Sequence, residues 1–333
     1  MDLEIDAGKA LVPRFNPIDL LTLGFITLNI LIVLFGWSRI EGPGTAAMGY
    51  LTTMIVTLGI ILIGTPKHLP GFLSQIEKPL LHFWGYVRGG YPFLFLAYFF
   101  VTVTEIDNIF YAEALDPWFR AMEKRIFGYL PHETLMDTYD NYWVSEILHG
   151  AYFIYYVLLG VLPYQIYKRS PESLQKYTFA AMTVFYASAL TYLIFPVIGG
   201  RYTEEMVHKT LEMRYGFFTR LMASMYRTSN HFGAAFPSTH TAQSLVLAVG
   251  ALVYLPMKKA WIYSLNGVLV LLATVYGGYH YILDVVGGFL YFGAFFPLGL
   301  KFYDLWFADL AQRAESKVVE MSAQAKLETE TTK

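Results

Sequence analysis

Two histidines and one aspartate are of types, and at a spacing, that suit nucleophilic and acid–base chemistry. His280 and Asp284 stand four residues apart in "YGGYHYILDVVGG", so we expect both on one face of the last apolar helix. An aspartate one turn away can accept the ring N–H of the histidine, which fixes its tautomer and stabilises the imidazolium. His240 lies forty positions earlier, in "AAFPSTHTAQS". These three side chains are the candidate catalytic residues.

The residues just before His240 predict an anion site at a helix start. Pro237 suits the first helical turn and Ser238 or Thr239 can cap it, so the free backbone N–H groups of that turn point outward. Such N–H groups bind anions. Two other interpretations stay open, because a histidine at a helix start is often only a satisfied interfacial group. Two histidines and a carboxylate can also hold a metal.

The composition places these residues in a membrane protein. Of the 333 residues, 55% are hydrophobic, 17% are aromatic and only 15% are charged. The net charge of -2 and the scattered basic residues argue against a nucleic-acid partner. The absence of cysteine excludes a disulfide framework, a thiolate zinc site and a thiol nucleophile. The chemistry therefore falls to histidine, serine and carboxylates, and we expect no cofactor.

Eight apolar runs approach the length of about 20 helical residues that crosses a bilayer. They predict an all-α polytopic membrane protein with about eight transmembrane helices. Arg88 stands near the start of the third run and is expected to reach the headgroups with its long side chain. The runs are Leu20–Trp37, Ala46–Gly64, Phe83–Thr104, Trp143–Tyr167, Tyr177–Pro196, His240–Leu255, Ala260–Tyr276 and Tyr279–Leu300.

The chain divides by these runs into three parts. Residues 1–80 form an N-terminal transmembrane hairpin, residues 81–303 form a six-helix catalytic core with long outer loops, and residues 304–333 form a cytoplasmic tail. The segment before the first run is long and acidic, which is unlike a cleaved signal peptide, so the run is expected to stay as an anchor. The long connections at about 105–142 and 198–237 are expected to lie in the membrane interface.

The distribution of lysine and arginine predicts the orientation of the chain. Basic residues in short loops mark the cytoplasmic face. With eight spans, this places both termini in the cytoplasm and His240 on the extracytoplasmic or lumenal side. The basic residues on the cytoplasmic face are Lys67, Lys78, Lys168, Arg169, Lys176, Lys258 and Lys259.

The motif P-S-x-H ending at His240 and the motif H-x3-D from His280 to Asp284 follow a long outer loop that holds an arginine. In this order and at helix ends, they resemble the type 2 phosphatidic acid phosphatase superfamily of membrane lipid phosphatases and phosphotransferases. The resemblance covers roughly residues 83–303. It implies that His280 attacks phosphorus and forms a phosphohistidine, that Asp284 orients His280, and that His240 protonates the leaving oxygen.

A second segment, "FPVIGGRY", is similar to the first signature of the same family. By this resemblance Arg201 binds the phosphate oxygens, together with the N–H groups around Ser238 and Thr239. Two cations of the family phosphatases are absent, since their lysine position holds Ile194 and their Ser-Arg pair is "AT" at 273–274. The proline expected after the arginine is replaced by Tyr202.

In these departures the chain is similar to the inositol phosphorylceramide synthase and sphingomyelin synthase branches of the family. The segment "HYILDVVGG" also resembles the inositolphosphotransferase branch. The resemblance favours transfer of a phospho-headgroup, with phosphoinositol as one candidate, between membrane lipids as donor and acceptor. The alternative is a lipid phosphate phosphatase, of phosphatidic acid or isoprenoid diphosphate type, with water as acceptor. Outer-loop residues would then replace the lost cations: Lys209, Arg214, Arg227 or His231.

Further polar residues on the outer face are candidates for headgroup or additional phosphate contacts. Glu146 and His149 are three apart at the outer end of the fourth run, where an interfacial pair without catalytic part is equally consistent. A non-catalytic lipid transporter or scaffold is a third class of function, but the middles of the runs are nearly free of charge. The sequence does not set the oligomeric state. The remaining candidates for these contacts are Tyr202, Arg227 and His231.

Overall fold

The computed structural model describes residues 15–63, 77–106, 109–111, 113–212, 215–227 and 233–331, and over these ranges it is built from helices. The all-α class predicted from the sequence is confirmed. The helices are α1 (Pro17–Phe35), α2 (Pro43–Ile63), α3 (Glu77–Gly90), α4 (Leu96–Thr104), α5 (Asp116–Phe127), α6 (Pro131–Thr138), α7 (Tyr142–Tyr167), α8 (Pro171–Ile194), α9 (Glu204–Glu212), α10 (Phe217–Arg227), α11 (Thr239–Tyr254), α12 (Met257–Tyr276) and α13 (Ile282–Thr331).

Seven helical segments in the described part of the chain are long and apolar enough to cross a membrane. They are α1, α2, the α3–α4 unit, α7, α8, α12 and the first half of α13. The predicted sixth run is helix α11, which has only 16 residues because Ser238 caps its start and Pro256 follows its end. It packs against α7, α8, α12 and α13, so it is an inner helix of the bundle.

The third predicted span is interrupted. A short 3-10 turn over Tyr91–Phe95, with Pro92 inside it, separates α3 from α4. Just before this turn, Arg88 is buried and pairs with Asp19 of α1, with Nη1 2.8 Å from Oδ1. The expectation that Arg88 reaches the headgroups is therefore wrong. A charge-assisted pair with two parallel hydrogen bonds satisfies it inside the protein and ties α3 to α1.

Helix α8 is the central element of the bundle. It contacts α1, α3, α4, α7, α11 and α13. Its aromatic residues fill the spaces between these neighbours: the Tyr186 ring stacks on Phe25 of α1 at 4.1 Å, and the Tyr177 ring lies against Gly250 of α11. The first hairpin and the later helices therefore share one packed core, and the far end of α8 leads directly to the site described below.

Short helices occupy the two long connections on one side of the bundle. Helices α5 and α6 lie between α4 and α7, and helices α9 and α10 lie between α8 and α11. Helix α10 has a buried side that includes Met222 and an exposed side that includes Phe217 and Met225, as an interfacial helix should. Phe218 of α10 packs against Gly150 of α7.

The last helix continues far beyond its membrane-spanning part. Helix α13 has 50 residues and runs without a break from Ile282 to Thr331, although Pro297 lies inside it. The segment predicted as a separate tail from residue 304 is therefore continuous with the last span over its described backbone.

Candidate active site

The site lies where three chain segments meet beyond the ends of α8, α11, α12 and α13. The segment after α8 pairs with the segment before α11 through an isolated parallel bridge between Val197 and Ala234. The Ala235 N–H donates to the Val197 carbonyl at 2.8 Å, and the Val197 N–H donates to the Gly233 carbonyl at 3.3 Å. The segments that carry Arg201 and His240 are thus joined main chain to main chain.

The third segment connects α12 to α13 and carries His280. The Thr274 carbonyl accepts the N–H groups of Tyr279 at 2.9 Å and His280 at 3.0 Å. Gly199 and Gly278 both have positive φ angles, of 97° and 64°, which favour glycine. A Cβ atom on Gly199 would lie 2.4 Å from the Tyr279 carbonyl oxygen. Glycine is therefore needed for the segment before Arg201 to pack against the His280 segment.

His280 and Asp284 meet by a different geometry from the one predicted. Helix α13 begins at Ile282, so His280 precedes the helix and only Asp284 lies in its first turn. The prediction that His280 and Asp284 lie on one face of the same helix is therefore wrong, because His280 is not part of the helix. Asp284 Oδ2 accepts the Tyr281 N–H at 2.8 Å and also lies 3.3 Å from His280 Nδ1. One carboxylate thus stabilises the start of α13 and orients the histidine ring.

His240 stands between His280 and two tyrosines. Its Nδ1 lies 3.3 Å from His280 Nε2, and its Nε2 lies 2.8 Å from the Tyr152 hydroxyl and 3.1 Å from the Tyr156 hydroxyl. Three kinds of group therefore form one series, from the Asp284 carboxylate through both imidazoles to the hydroxyls of two tyrosines on α7. The structure brings the three candidate catalytic residues together.

The start of α11 matches the predicted cap in part. Ser238 is the cap, and its hydroxyl accepts the Thr241 N–H at 3.2 Å. Pro237 precedes the cap, so its predicted place in the first helical turn is wrong. The Tyr192 hydroxyl donates to the Thr239 hydroxyl at 3.0 Å. The first N–H groups of α11 have no intrahelical carbonyl to reach, and they lie beside His240, where an anion can accept them.

His280 is enclosed by protein. His280 is 4% exposed. The neighbouring Gly278 packs against Met136 of α6 and Met206 of α9. Burial and, to a smaller extent, the positive charge of Arg201 lower the pKa of His280 to about 3. A hydrogen bond to the Ala235 carbonyl acts in the opposite direction, because it favours the charged form, but its effect is smaller than that of burial. The ring is therefore neutral at neutral pH and can attack through an unprotonated nitrogen.

Arg201 is close enough to the His280 ring for its positive charge to act on that ring. Its guanidinium lies 5.3 Å from the centroid of the Tyr279 ring, at a distance where a cation and an aromatic face attract. Ala273 and Thr274, at the position of the Ser-Arg pair of the resembled phosphatases, are uncharged and are buried at 2% and 0% exposure. Lys209 pairs with Asp137 on the outer face, which removes it as a free replacement cation.

The remaining candidate contacts differ in their positions. Tyr202 lies in the turn directly after Arg201 and is 38% exposed. Arg227 is the last residue of α10 and is exposed. His231 and Arg214 lie outside the described residues. Tyr202 and Arg227 therefore stay predictions as headgroup or phosphate contacts.

Glu146 has a structural function that the sequence did not indicate. Its carboxylate accepts the N–H groups of Phe218 at 3.0 Å and Thr219 at 2.8 Å, so a residue of α7 caps the start of α10. His149 is buried one turn further along α7, where Nδ1 lies 2.8 Å from the Ser145 carbonyl. Both carboxylate oxygens of Glu146 are thus engaged with α10, and the headgroup contacts of Glu146 and His149 stay predictions.

Several residues at the site were not predicted from the sequence. Asp116, at the start of α5, accepts the N–H groups of Ile198 at 2.8 Å and Gly199 at 2.9 Å, and the Tyr281 hydroxyl donates to it at 3.0 Å. It thereby joins the Arg201 segment to the His280 segment. Its sequence signal is a carboxylate before a proline at the start of an amphipathic stretch.

Two more unpredicted residues support α13 from the same side. Glu123 of α5 accepts the Leu283 N–H at 3.2 Å, and its second oxygen lies 3.7 Å from Nδ1 of His132. Glu123 and His132 are both fully buried. Asp116 and Glu123 are seven residues apart, which places them on one face of α5, and this face lies against the start of α13.

Comparison with known families decides how this geometry is classified. A family model described as the PAP2 superfamily matches residues 118–298, which is more than half of the chain. The chain belongs to the PAP2 superfamily. No curated protein and no solved structure matches it. The match begins inside α5 and ends inside α13, so it includes the three candidate catalytic residues and Arg201.

Membership of the PAP2 superfamily points to a lipid enzyme of the phosphatase or phosphotransferase type. The geometry suits such chemistry, because a neutral histidine backed by a carboxylate lies beside a second histidine that can carry a proton. Among the described residues, no group of three or more histidine, aspartate or glutamate side chains is arranged to hold a metal ion.

Proposed function

We propose that this PAP2 protein is a membrane lipid phosphotransferase that moves a phospho-headgroup between lipids through a phosphohistidine on His280. His280 Nε2 attacks phosphorus, Asp284 holds the proton on Nδ1, and His240 protonates the departing lipid oxygen. In the second half of the reaction, His240 takes a proton from the acceptor hydroxyl as that oxygen attacks the phosphohistidine.

The observation that carries this proposal is the series of contacts at the site. His280 lies 3.3 Å from Asp284 on one side and 3.3 Å from His240 on the other. A histidine that is oriented by a carboxylate and stands beside a potential general acid has the parts needed for covalent catalysis. Arg201 and the start of α11 are the groups that we assign to the phosphate oxygens, with Ser238 and Thr239 shaping that helix start.

Transfer is favoured over hydrolysis by the charge of the site. A phosphate diester carries one negative charge, whereas a monoester approaches two at neutral pH, so a diester needs fewer cations. The site has Arg201 but no cation at 273–274, where the Thr274 carbonyl instead holds the His280 segment. The enclosure of His280 also favours a lipid hydroxyl over bulk water as the acceptor.

Phosphoinositol is the headgroup that we propose to test first, because the residues around His280 resemble the inositolphosphotransferase branch. We assign Tyr202 and Arg227 as the side chains most suited to contact this headgroup. A lipid phosphate phosphatase is the second candidate function, and we assign the exposed Arg227 at the end of α10 as a cation that would complete its phosphate site.

We propose that the site lies on the extracytoplasmic or lumenal side, with both termini in the cytoplasm. The helix ends opposite to the site carry Lys168 and Arg169 after α7 and Lys258 and Lys259 at the start of α12. Basic residues in short loops favour the cytoplasm. Donor and acceptor lipids would then reach His280 from the outer leaflet.

Lipid mass spectrometry of the purified protein tests the proposal. Wild type, His280→Gln and His82→Gln are incubated with phosphatidylinositol, phosphatidic acid and ceramide. We expect new inositol phospholipid and diacylglycerol together in wild type and His82→Gln, and neither product in His280→Gln. His82 is a matched control, because it lies on the exposed surface of α3.

Two other outcomes decide against parts of the proposal. Diacylglycerol with free phosphate, and no new phospholipid, would identify a phosphatase with water as acceptor. Undiminished turnover by a folded His280→Gln variant would exclude the phosphohistidine pathway. An acid-labile phosphate on the wild-type protein when ceramide is withheld, absent from His280→Gln, gives direct support.

A further inference from the structure

We propose that the Tyr152 hydroxyl, with Tyr156 as a second donor, fixes the proton of neutral His240 on Nδ1 and supplies a proton to Nε2 as the leaving oxygen is protonated. This inference rests on the proposed function and names how its general acid is supplied with a proton. Tyr152 acts through His240 and touches no reacting atom, so it is a positioning residue.

The two hydroxyls converge on one nitrogen. Tyr152 and Tyr156 are four residues apart on α7, which places them on the same helix face. Their hydroxyl oxygens lie 2.8 Å and 3.1 Å from His240 Nε2. Tyr152 is fully buried and Tyr156 is exposed. The shorter contact therefore belongs to the tyrosine that is shielded from water.

The direction of the hydrogen bonds between His240 and the tyrosines follows from the contacts of Asp284 and His280. The Tyr281 N–H points at Asp284 Oδ2, and we therefore assign the proton between this oxygen and His280 to His280 Nδ1. His280 Nε2 is then unprotonated, and the contact with His240 requires a proton on His240 Nδ1. A neutral imidazole carries one proton, so in this assignment His240 Nε2 accepts from a tyrosine hydroxyl.

This direction matters for the proposed step. As the bond from phosphorus to the leaving oxygen breaks, that oxygen takes the proton from His240 Nδ1. His240 Nε2 takes the proton of Tyr152, whose oxygen keeps the electron pair as a phenolate, so His240 stays neutral. In the second half, the acceptor hydroxyl gives its proton to Nδ1 and Nε2 returns its proton to Tyr152. Without a donor on Nε2, His240 would have to become an anion.

The surroundings of Tyr152 suit a transient phenolate. Its ring lies 4.8 Å from the His240 ring and 5.0 Å from the Tyr279 ring, measured between centroids. The Arg201 guanidinium covers the Tyr279 ring, which puts a positive charge two rings from His240. His149 of α7 lies edge-on to Tyr279. Further titratable groups pack around the same rings: Tyr156 against Tyr152, and Tyr155 and His280 against His240. In this proposal Arg201 binds the phosphate, and its positive charge also favours the negative charge on Tyr152 across the Tyr279 ring.

The experiment compares a leaving group that needs a proton with one that does not. Phosphatidylinositol and phosphatidic acid release diacylglycerol, whereas the 4-nitrophenyl esters of inositol phosphate and of phosphate release a stable anion. We expect Tyr152→Phe to lower kcat for the lipids by roughly 10²-fold with little change in KM, because general acid catalysis is worth roughly this much. The loss with the 4-nitrophenyl esters should stay below about threefold.

Tyr155→Phe is the matched control. Tyr155 is buried on the same helix, and its ring lies 5.6 Å from His240, but its hydroxyl makes no hydrogen bond to either histidine among the described residues. We expect no change with either class of substrate. Tyr156→Phe should show a smaller loss than Tyr152→Phe, and the double variant the largest.

A proton inventory in mixtures of light and heavy water gives a second readout on the lipid reaction. We expect two protons in flight for wild type and one for Tyr152→Phe. Equal losses with both substrate classes would make Tyr152 a purely structural residue, and unchanged lipid turnover would remove it from the reaction. Either result overturns this inference alone, whereas turnover by His280→Gln would overturn the proposed function itself.

Discussion

Asp116 controls the position of Arg201 without belonging to the motifs that predicted the site. Its two carboxylate oxygens accept backbone N–H groups of the Arg201 segment and the hydroxyl of Tyr281. We expect Asp116→Asn to lower turnover on the order of 10²-fold, because the amide must turn an N–H₂ group toward a backbone N–H and release the segment that carries Arg201. Steady-state lipid turnover measures this loss.

The same substitution should cost about 1–3 kcal/mol of stability, because a buried N–H group loses its acceptor. Thermal unfolding in detergent measures it. Asp304→Asn is the control, since Asp304 is exposed at the opposite end of the bundle, where it pairs with Lys176. Normal turnover by Asp116→Asn would show that Arg201 keeps its place without this carboxylate.

The lowered pKa of His280 predicts the pH dependence of phosphoenzyme formation. A histidine with a pKa of about 3, instead of the ordinary 6.5, is unprotonated at every pH above about 4. The rate of 4-nitrophenol release from 4-nitrophenyl inositol phosphate should therefore stay level from pH 8 to pH 5 in single-turnover measurements. A decline with a midpoint near 6.5 would mean that His280 is more accessible to water than the structure shows.

At the scale of elements, the start of α13 must cross the start of α11 closely for the two histidines to meet. Gly288 permits this crossing, because a Cβ atom there would lie 2.6 Å from the Ser238 carbonyl oxygen. Gly288→Ala should lower turnover on the order of 10²-fold, since misplacement by about 1 Å has this effect on catalysis. Circular dichroism should show unchanged helix content.

Gly293→Ala is the matched control for this prediction. It lies on the same helix, and a Cβ atom at Gly293 meets no atom within 4 Å. We expect its turnover to equal that of wild type. If Gly288→Ala also keeps full turnover, the two helices can move apart at their crossing and still hold His240 against His280.

The elements also show which features the sequence could predict. Apolar runs located the long helices, and fixed spacings located His240, His280 and Asp284, because each signal is contained within a few residues. Asp116 and its partners at 198, 199 and 281 are far apart in the chain, so no local pattern connects them. The pairing of Arg88 with Asp19 was not predicted for the same reason, because the two residues are 69 positions apart in the chain.

At the scale of the whole molecule, the bundle separates two kinds of surface. The site and the helices α5, α6, α9 and α10 lie at one set of helix ends, and the basic residues near 168 and 258 lie at the other. Helix α8 joins the two sides and also packs against α1, so the first hairpin supports the core that carries the site. Orientation in the membrane then decides which leaflet supplies the lipids.

The absence of cysteine makes this orientation directly measurable, because a single introduced thiol is the only one in the chain. Glu205→Cys places it on α9 beside the site, and Lys258→Cys places it at the start of α12; both positions are exposed. In intact bacterial cells expressing the protein, a membrane-impermeant maleimide should label position 205 and should label position 258 only after permeabilisation. The positive-inside distribution of lysine and arginine is the physical reason. Labelling of position 258 alone in intact cells would place His280 in the cytoplasm and make the inner leaflet the source of both lipids.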